Sequence, residues 1–481
     1  MANLISTLMT TGGSLNAFTQ ALNVVQNNVA NASTPGYASQ TQSLEAMKFD
    51  PVDGFTGGVV AGQIVTSRNE YVEKTVQQQT SLLGQAQQDV NGLTDIESQF
   101  DITGNSGITA AFNSLFNAFS AWAQTPTSAV EQQSVIQQAT NVAQAFQQAA
   151  SGLTAVFRNV DGQMQATVAN VNHIATQLAG FNQQIMQGDR NDAGLDAQIH
   201  STLEQLSSYG SVTASQLSDG TWTVLLNGQT PLVLADRAFT LTTGITPPGP
   251  GALNPTGPAH LSILAADGSD ITAATTSGQL GSLLNLANVV VPSYLGDGAQ
   301  DGSLNTLAEK FASNVNTLLT NGYQSSGPPP VPGLPLFTPP DPTNPTNVAN
   351  SLQVNPNLSP TQLAAISPGP PTVSNGVALA LSQLSNPISA SDEIGGLSYA
   401  QYYAGMASSV GTLLNNATDR LQSEKGAVAQ AQNVRQQFSG VSLDQEATIL
   451  IQFQQAYEAN SKLITILDQL SQDTINMLST N

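Results

Sequence analysis

No cysteine occurs in this chain, aromatic residues make up 5% of it, and Asp, Glu, Lys and Arg together only 9%. Without cysteine there can be no disulfides, thiolate metal ligands or thiol nucleophiles. The 11 Lys and Arg stand against 32 Asp and Glu, a formal net charge of -21, and nowhere cluster. Nucleic acid and anionic membrane surfaces need such a cluster to neutralise phosphate, so neither is expected as a partner. No 18-residue apolar run could span a bilayer, and the first 30 residues lack the basic and apolar regions of a cleaved secretory signal. Charged side chains are missing altogether from the first 44 residues, Glu45 being the first. What remains for the surface is mostly Gln, Asn, Ser, Thr and Ala, which desolvate more cheaply than ions and suit extensive protein contact.

Helical periodicity dominates. Leu4, Leu8, Leu15, Phe18, Leu22, Val25 and Val29 follow the 3-4 spacing of a coiled-coil seam, interrupted only by Thr11. Ile449, Phe453, Ala456, Leu463, Leu467, Leu470 and Met477 repeat it at the other end, widened by Leu450, Tyr457, Ile464 and Leu478. The two ends are expected to pair with each other, to be mobile in a free chain, and to order when copies pack together. Between them, Ile136 to Val160 and Val168 to Ile185 form one long seam. Tyr403, Met406, Val410, Leu413, Ala417, Leu421, Val428 and Phe438 form a returning helix, and Leu304 to Leu318 a shorter one.

Around residue 210 the period changes. Asp219-Gly220 and Asn227-Gly228 separate alternating β-branched runs, which predicts a small β-meander, and residues 260 to 275 predict a further hairpin. From Pro328 to Pro371 the chain holds 14 of its 25 prolines, predicting an irregular wrap or linker instead of a packed element. The expected class is therefore α+β: a long antiparallel, coiled-coil-like helical bundle formed by the N- and C-terminal regions, with a small inserted β-rich region. Residues 1–70 with 442–481 would be the terminal pair, 71–200 with 276–322 and 375–441 a helical stalk, 201–275 the β-rich outer part, and 323–374 the irregular segment.

In Thr34-Pro35-Gly36-Tyr37, Pro presets a turn and Gly accepts the positive φ of a type II turn, so the first helix must stop before it. Asn27, Asn28 and Asn31 read either as helix-end and turn-forming residues or as hydrogen-bonding groups between subunits. Catalytic patterns are missing. His173, His200 and His260 have no ligand spacing, there is no nucleophile elbow or phosphate loop, and Asp297 and Asp301 are too few for a calcium cage, so that loop reads as a turn. No enzyme activity, metal or cofactor is expected.

Asn27, Asn28, Asn31, Ser33 and Thr34 to Tyr37, directly after an uncharged amphipathic helix, resemble the signature of bacterial flagellar rod, hook and hook-associated proteins. Residues 57–76, 107–126, 277–293, 304–323 and 439–470 are similar to successive segments of the hook-associated protein 1 family. Departures are Gln445-Glu446 where the family usually has paired acids, Val130-Glu131 where an Arg is common, and prolines after Gly322-Tyr323 where larger relatives carry another β-rich domain.

The resemblance implies terminal helices that line the inner tube of a helical assembly, with a polymer interface at Leu8, Leu15, Phe18, Leu22, Val25, Asn28, Asn31, Thr34, Pro35, Gly36, Tyr37, Ile449, Phe453, Leu463 and Leu467. It implies partners: further copies of the chain in a ring, the hook protein, the next hook-associated junction protein, and an export chaperone centred on Phe453, Tyr457, Ile464 and Leu467. It also implies a place outside the cell, at the hook-filament junction, reached through the flagellar type III apparatus without a cleaved signal. The alternatives are another axial flagellar protein such as the hook protein, or a secreted hydrolase or adhesin on the same frame with a polar cleft in 201–372.

Overall fold

The computed structural model describes residues 2–50, 52, 55–101, 106–190, 192–249, 253, 257–339 and 347–479. Helix α1 (Ala2–Ala30) ends in the Thr34 to Tyr37 turn, where Tyr37 N donates to Thr34 O at 3.2 Å and Gly36 takes φ 76°. Strands β1 (Gln40–Ala46), β2 (Phe49–Asp50), β3 (Phe55–Thr56) and β4 (Val59–Thr66) then form a long antiparallel hairpin, β1 pairing with β4 and β2 with β3. The hairpin folds back on α1: Val59 N donates to Ser14 Oγ at 2.9 Å, and the Thr10 and Thr56 hydroxyls lie 2.8 Å apart. This sheet element lies within the region expected to be purely helical.

Four helices follow: α2 (Glu70–Glu97), α3 (Gly107–Gln124), the 59-residue α4 (Ala129–Gln187) and α5 (Ala193–Ser207). Asn69, Ser128 and Asp192 cap α2, α4 and α5 by accepting from free backbone N–H groups of the first turn. The meander β5 (Val212–Gln216), β6 (Trp222–Leu226), β7 (Thr230–Leu234) and β8 (Arg237–Ala238) has the strand order of the sequence and packs on α4. Its Asn227-Gly228 turn holds both residues at positive φ, 54° and 72°, as the primed hairpin turn requires.

Strand β9 (Thr242–Thr246) pairs with β10 (His260–Leu264). The hairpin expected over 260 to 275 is present but short: Ala265 N donates to Ser269 O and Ile271 N to Ile263 O across the Gly268 turn, then the chain enters a 3-10 turn, and the full partner strand of β10 lies upstream. Helices α6 (Gly278–Asn285) and α7 (Val291–Leu295) are joined by a π-helical turn, and α8 (Ser303–Thr320) follows. The short hairpin of β11 (Tyr323–Ser325) and β12 (Val331–Pro332), then α9 (Val348–Ser351) and α10 (Gly376–Gln383), lead to α11 (Tyr399–Ser439) and α12 (Leu443–Ser479).

The returning helix α11 runs antiparallel along α2, with Arg420 3.8 Å from Asp89 and Arg435 3.5 Å from Glu73. Its seam keeps Tyr403, Met406, Val410, Ala417, Leu421 and Val428 buried but leaves Leu413 and Phe438 exposed, because the buried stripe continues through Ala431 and the partly covered Arg435. The core gathers around Phe112, whose ring centre lies 4.7 Å from Phe311, 5.7 Å from Phe146 and 6.1 Å from Tyr399. The proline-rich segment also differs from expectation. Its secondary structure is sparse, yet Leu336, Phe337, Ala349, Leu352 and Leu363 are buried in that core, since apolar residues between the prolines supply what composition alone hides. Residues 340–346 lie outside the described part.

Candidate functional site: the paired ends and their joint to the stalk

α1 and α12 pair antiparallel, with the Phe18 and Phe453 rings tilted against each other at 6.3 Å and Asn28 meeting Glu446. The face of α1 that is most buried is not the Leu and Phe seam but Thr11, Ser14, Ala17, Ala21, Val24, Val25 and Asn28. Small side chains there let the hairpin backbone approach closely, as the bond from Val59 N to Ser14 Oγ shows. Leu8, Leu15, Phe18 and Leu22 are half-buried beside that stripe. On α12, Ile449, Phe453, Ala456, Asn460, Ile464 and Leu467 are the partly covered face, continued by Ser471 and Thr474. Leu463, Leu470 and Met477 belong to a different face, exposed to 45%, 49% and 69%, together with Ile466 at 53%. The predicted α12 seam thus mixed two faces, one directed at α1 and one uncovered in the free chain.

Asn28 and Val25 are buried within the single chain. The amide of Asn28 uses both ends. Its Nδ2 donates to Gln40 O and to Glu446 Oε1, each at 2.8 Å, while its Oδ1 accepts from Tyr37 Oη at 2.9 Å and from Gln40 N at 3.0 Å. One side chain therefore ties the end of α1, the turn, the start of β1 and the first turn of α12. Burial raises the Glu446 carboxyl, with the bond from Asn28 opposing, and Glu446 Oε2 finds no hydrogen-bond partner. Tyr37 is pushed up to about 12, first by burial and then by the Glu446 charge. Asn31 serves locally, donating to Asn27 and accepting from Thr34 Oγ1. Thr34 and Pro35 stay exposed, and Gly36 and Tyr37 are partly covered.

Three serines meet where this terminal unit joins the stalk: Ser39 at the reversal between α1 and β1, Ser67 where the chain leaves for α2, and Ser439 where it returns from α11. Ser39 N donates to Ser439 O at 2.8 Å, Ser67 N to Ser39 O at 2.9 Å, and the Ser39 and Ser67 hydroxyls meet at 2.8 Å. Ser439 Oγ closes the triangle by donating to Ser67 O at 3.2 Å.

Beside the serines lies the buried Arg68. It donates to Glu73 Oε1 at 2.7 Å, to Asp196 Oδ2 at 2.7 and 3.0 Å, and to Gly36 O at 2.7 Å. Arg435 bonds Glu204 at 2.6 Å and lies 3.5 Å from Glu73. His200 lies against Trp222 with its Nε2 3.6 Å from Asp196; burial and the two guanidinium groups push it down to about 3, so it is neutral. Gly36 nests on α5, where a Cβ would lie 2.5 Å from Ala197 O. None of the serines, nor Arg68, Asp196 or Arg435, stood out in the sequence. The available hint was scarcity, since Arg68 is one of only 11 cations and sits directly before the cap of α2.

Paired chain ends with a second apolar stripe uncovered, carried on a helical stalk, define a class: helical proteins that present an apolar face to a protein neighbour. The pattern described as "Flagellar hook-associated protein FlgK helical domain" matches residues 93–337, just over half the chain. The chain belongs to the FlgK family of flagellar hook-associated proteins. Residues 8–37 match the flagella basal body rod protein pattern, and residues 435–477 the C-terminal pattern of the flagellar basal body rod FlgEFG proteins. Flagellar hook-associated protein 1 of Bacillus subtilis (strain 168) is 26% identical over 509 aligned residues, covering 99% of both chains. The solved structure of the flagellar hook junction protein FlgK from Burkholderia pseudomallei shares the fold, with a TM-score of 0.64, 15% identity, and coverage of 77% of this chain and 100% of that one.

Proposed function

We propose that this chain is a structural subunit of the bacterial flagellum that forms the junction between hook and filament, adapting hook subunits to the next hook-associated protein. The observation that carries this reading is the exposed stripe of Leu463, Ile466, Leu470 and Met477 on a helix already paired with α1. An apolar face of that length on a free subunit is an interaction surface waiting for a neighbour, and neighbouring copies in a ring would cover it. The outer hydrophobic residues Ile5 and Met9 of α1 extend the surface. Leu8, Leu15, Phe18 and Leu22 are partly open and would complete it. The match to the FlgK helical domain over 93–337 favours this over the hook protein, whose relatives share the two ends. The same family match favours it over a hydrolase or adhesin.

Export through the flagellar type III apparatus would precede assembly, with a chaperone on α12. Phe453, Ile464 and Leu467 lie partly under α1, and Tyr457 is 37% exposed, so the chaperone would displace α1 to reach them. A Phe453→Ala, Tyr457→Ala double variant that binds the chaperone with undiminished affinity would refute that placement. For the junction itself the test is deletion of the gene. Bare hooks with flagellin shed into the medium are expected; motile cells with normal filaments would overturn the reading.

A further inference from the structure

We infer that Arg68 is a positioning residue that fixes the angle between the paired ends and the stalk, so that the free chain carries a preset elbow instead of a hinge. The serine triangle is a set of short bonds gathered at one place, and contacts at one place leave rotation open. Arg68 adds what the triangle lacks. A guanidinium is a rigid plane with five donors in fixed directions, and this one holds Gly36 O on the terminal side together with Glu73 of α2 and Asp196 of α5 on the stalk side. Anchors on three separate elements define an orientation, where one anchor defines only a distance.

The network is braced from behind. Arg435 of α11 joins Glu73 to Glu204 of α5, so α2 and α5, the two stalk helices that Arg68 bonds, are tied to each other through α11. The side chains of Arg68 and Glu73 are only 6% and 5% exposed, and breaking a pair so deeply placed strands a charge away from water. Swinging the terminal unit about the serines would break the bond from Arg68 to Gly36 O and lift Gly36 from its seat on α5, leaving a guanidinium donor of this buried network without its acceptor. In a chain with so few charges, two of its Arg residues meeting three carboxylates at the one place where the terminal unit joins the stalk is a concentration that solvation of a surface does not explain. The inference concerns the free chain and stands whether or not the chain sits at the hook-filament junction.

Because the chain has no cysteine, Asn23→Cys on α1 and Gln177→Cys on α4, both at exposed positions, can carry the only spin labels on the full-length protein. Pulsed dipolar spectroscopy on the monomer then reads the angle as a distance distribution. One narrow distribution is expected for the parent, broadened about twofold or more by Arg68→Ala and also by Arg68→Lys, whose single ammonium cannot reproduce the three-way fork. Helix content by circular dichroism should be unchanged, and Arg420→Ala, midway along the α2–α11 pair, should leave the distribution narrow. A parent that is already broad, or an Arg68→Ala distribution as narrow as the parent, overturns the inference. If Arg68→Ala does not fold, Arg68→Lys and Asp196→Asn are judged by the same two outcomes.

Discussion

Asn28 and Glu446, 418 positions apart, share a buried hydrogen bond of 2.8 Å that joins the last turn of α1 to the first turn of α12. Removing the amide leaves Glu446 Oε1, the Tyr37 hydroxyl and both backbone groups of Gln40 without it. A buried group left unpaired costs about 1–3 kcal/mol. Asn28→Ala is therefore expected to lower the free energy of local opening at the Gln40 amide by about 2–4 kcal/mol, measured by native-state hydrogen exchange, while amides in α4 stay unchanged.

Glu446 makes this clasp sensitive to pH. Its carboxyl is raised above the ordinary 4.5 by burial, so the folded chain keeps the proton to higher pH than the unfolded chain does. The sign follows: the contribution of this group to stability is full below the unfolded value and declines as pH rises through the folded one. Exchange protection at Gln40 should then fall between pH 4.5 and neutrality. Glu446→Gln keeps an acceptor for Asn28 and removes the charge, and should flatten that decline and exceed the parent at neutral pH. A parallel decline in both proteins would show that another group controls it.

The clasp also predicts a gradient along α1. Residues 21–28 include four buried positions next to the joint, whereas Ile5 and Met9 are 53% and 74% exposed. Amide exchange of the monomer should be slow near Val24 and fast before Thr10, with the fast part becoming protected in the assembled state. Uniformly strong protection from residue 4 to 29 in a dilute monomer would contradict mobile ends.

Polar substitution on the uncovered stripe separates assembly from folding. Leu463→Ser with Leu470→Ser is expected to leave the melting temperature of the monomer within a few degrees, because both side chains are nearly half exposed and surface changes alter stability by about 0.5 kcal/mol or less. Self-association measured by sedimentation should nevertheless drop at least tenfold, roughly the effect of about 1.4 kcal/mol. Phe112→Ala provides the contrast. Fully buried among Phe311, Phe146 and Tyr399, it should destabilise the stalk by about 3–5 kcal/mol.

Long-range repetition was readable and convergence was not. The α4 seam from Ala139 to Ile185 could be followed in the sequence because one helix of 59 residues repeats its burial pattern many times. Asn227-Gly228 was readable because only a few residues accept two consecutive positive φ angles. At the ends, two interleaved stripes share the 3-4 spacing, and side-chain size favoured Leu15 and Leu22 over Ser14 and Ala21. The hairpin decided otherwise, since its backbone needs small neighbours. The joint was hidden for a simpler reason: Arg68, Asp196 and Arg435 come from three distant segments and carry no local pattern, and the legible turn at Gly36 does not reveal what it meets. Leu336 and Phe337 were masked by the prolines around them, which mark backbone irregularity and say nothing about whether a side chain is buried.

A polypeptide that traverses the same boundary twice behaves mechanically unlike one that traverses it once. Tension applied to the paired ends divides between the two strands at Ser67 and Ser439, which are bonded to each other and to Ser39. Torque delivered at one end of such a subunit reaches the other with little wind-up, a useful property in any part of a rotating shaft.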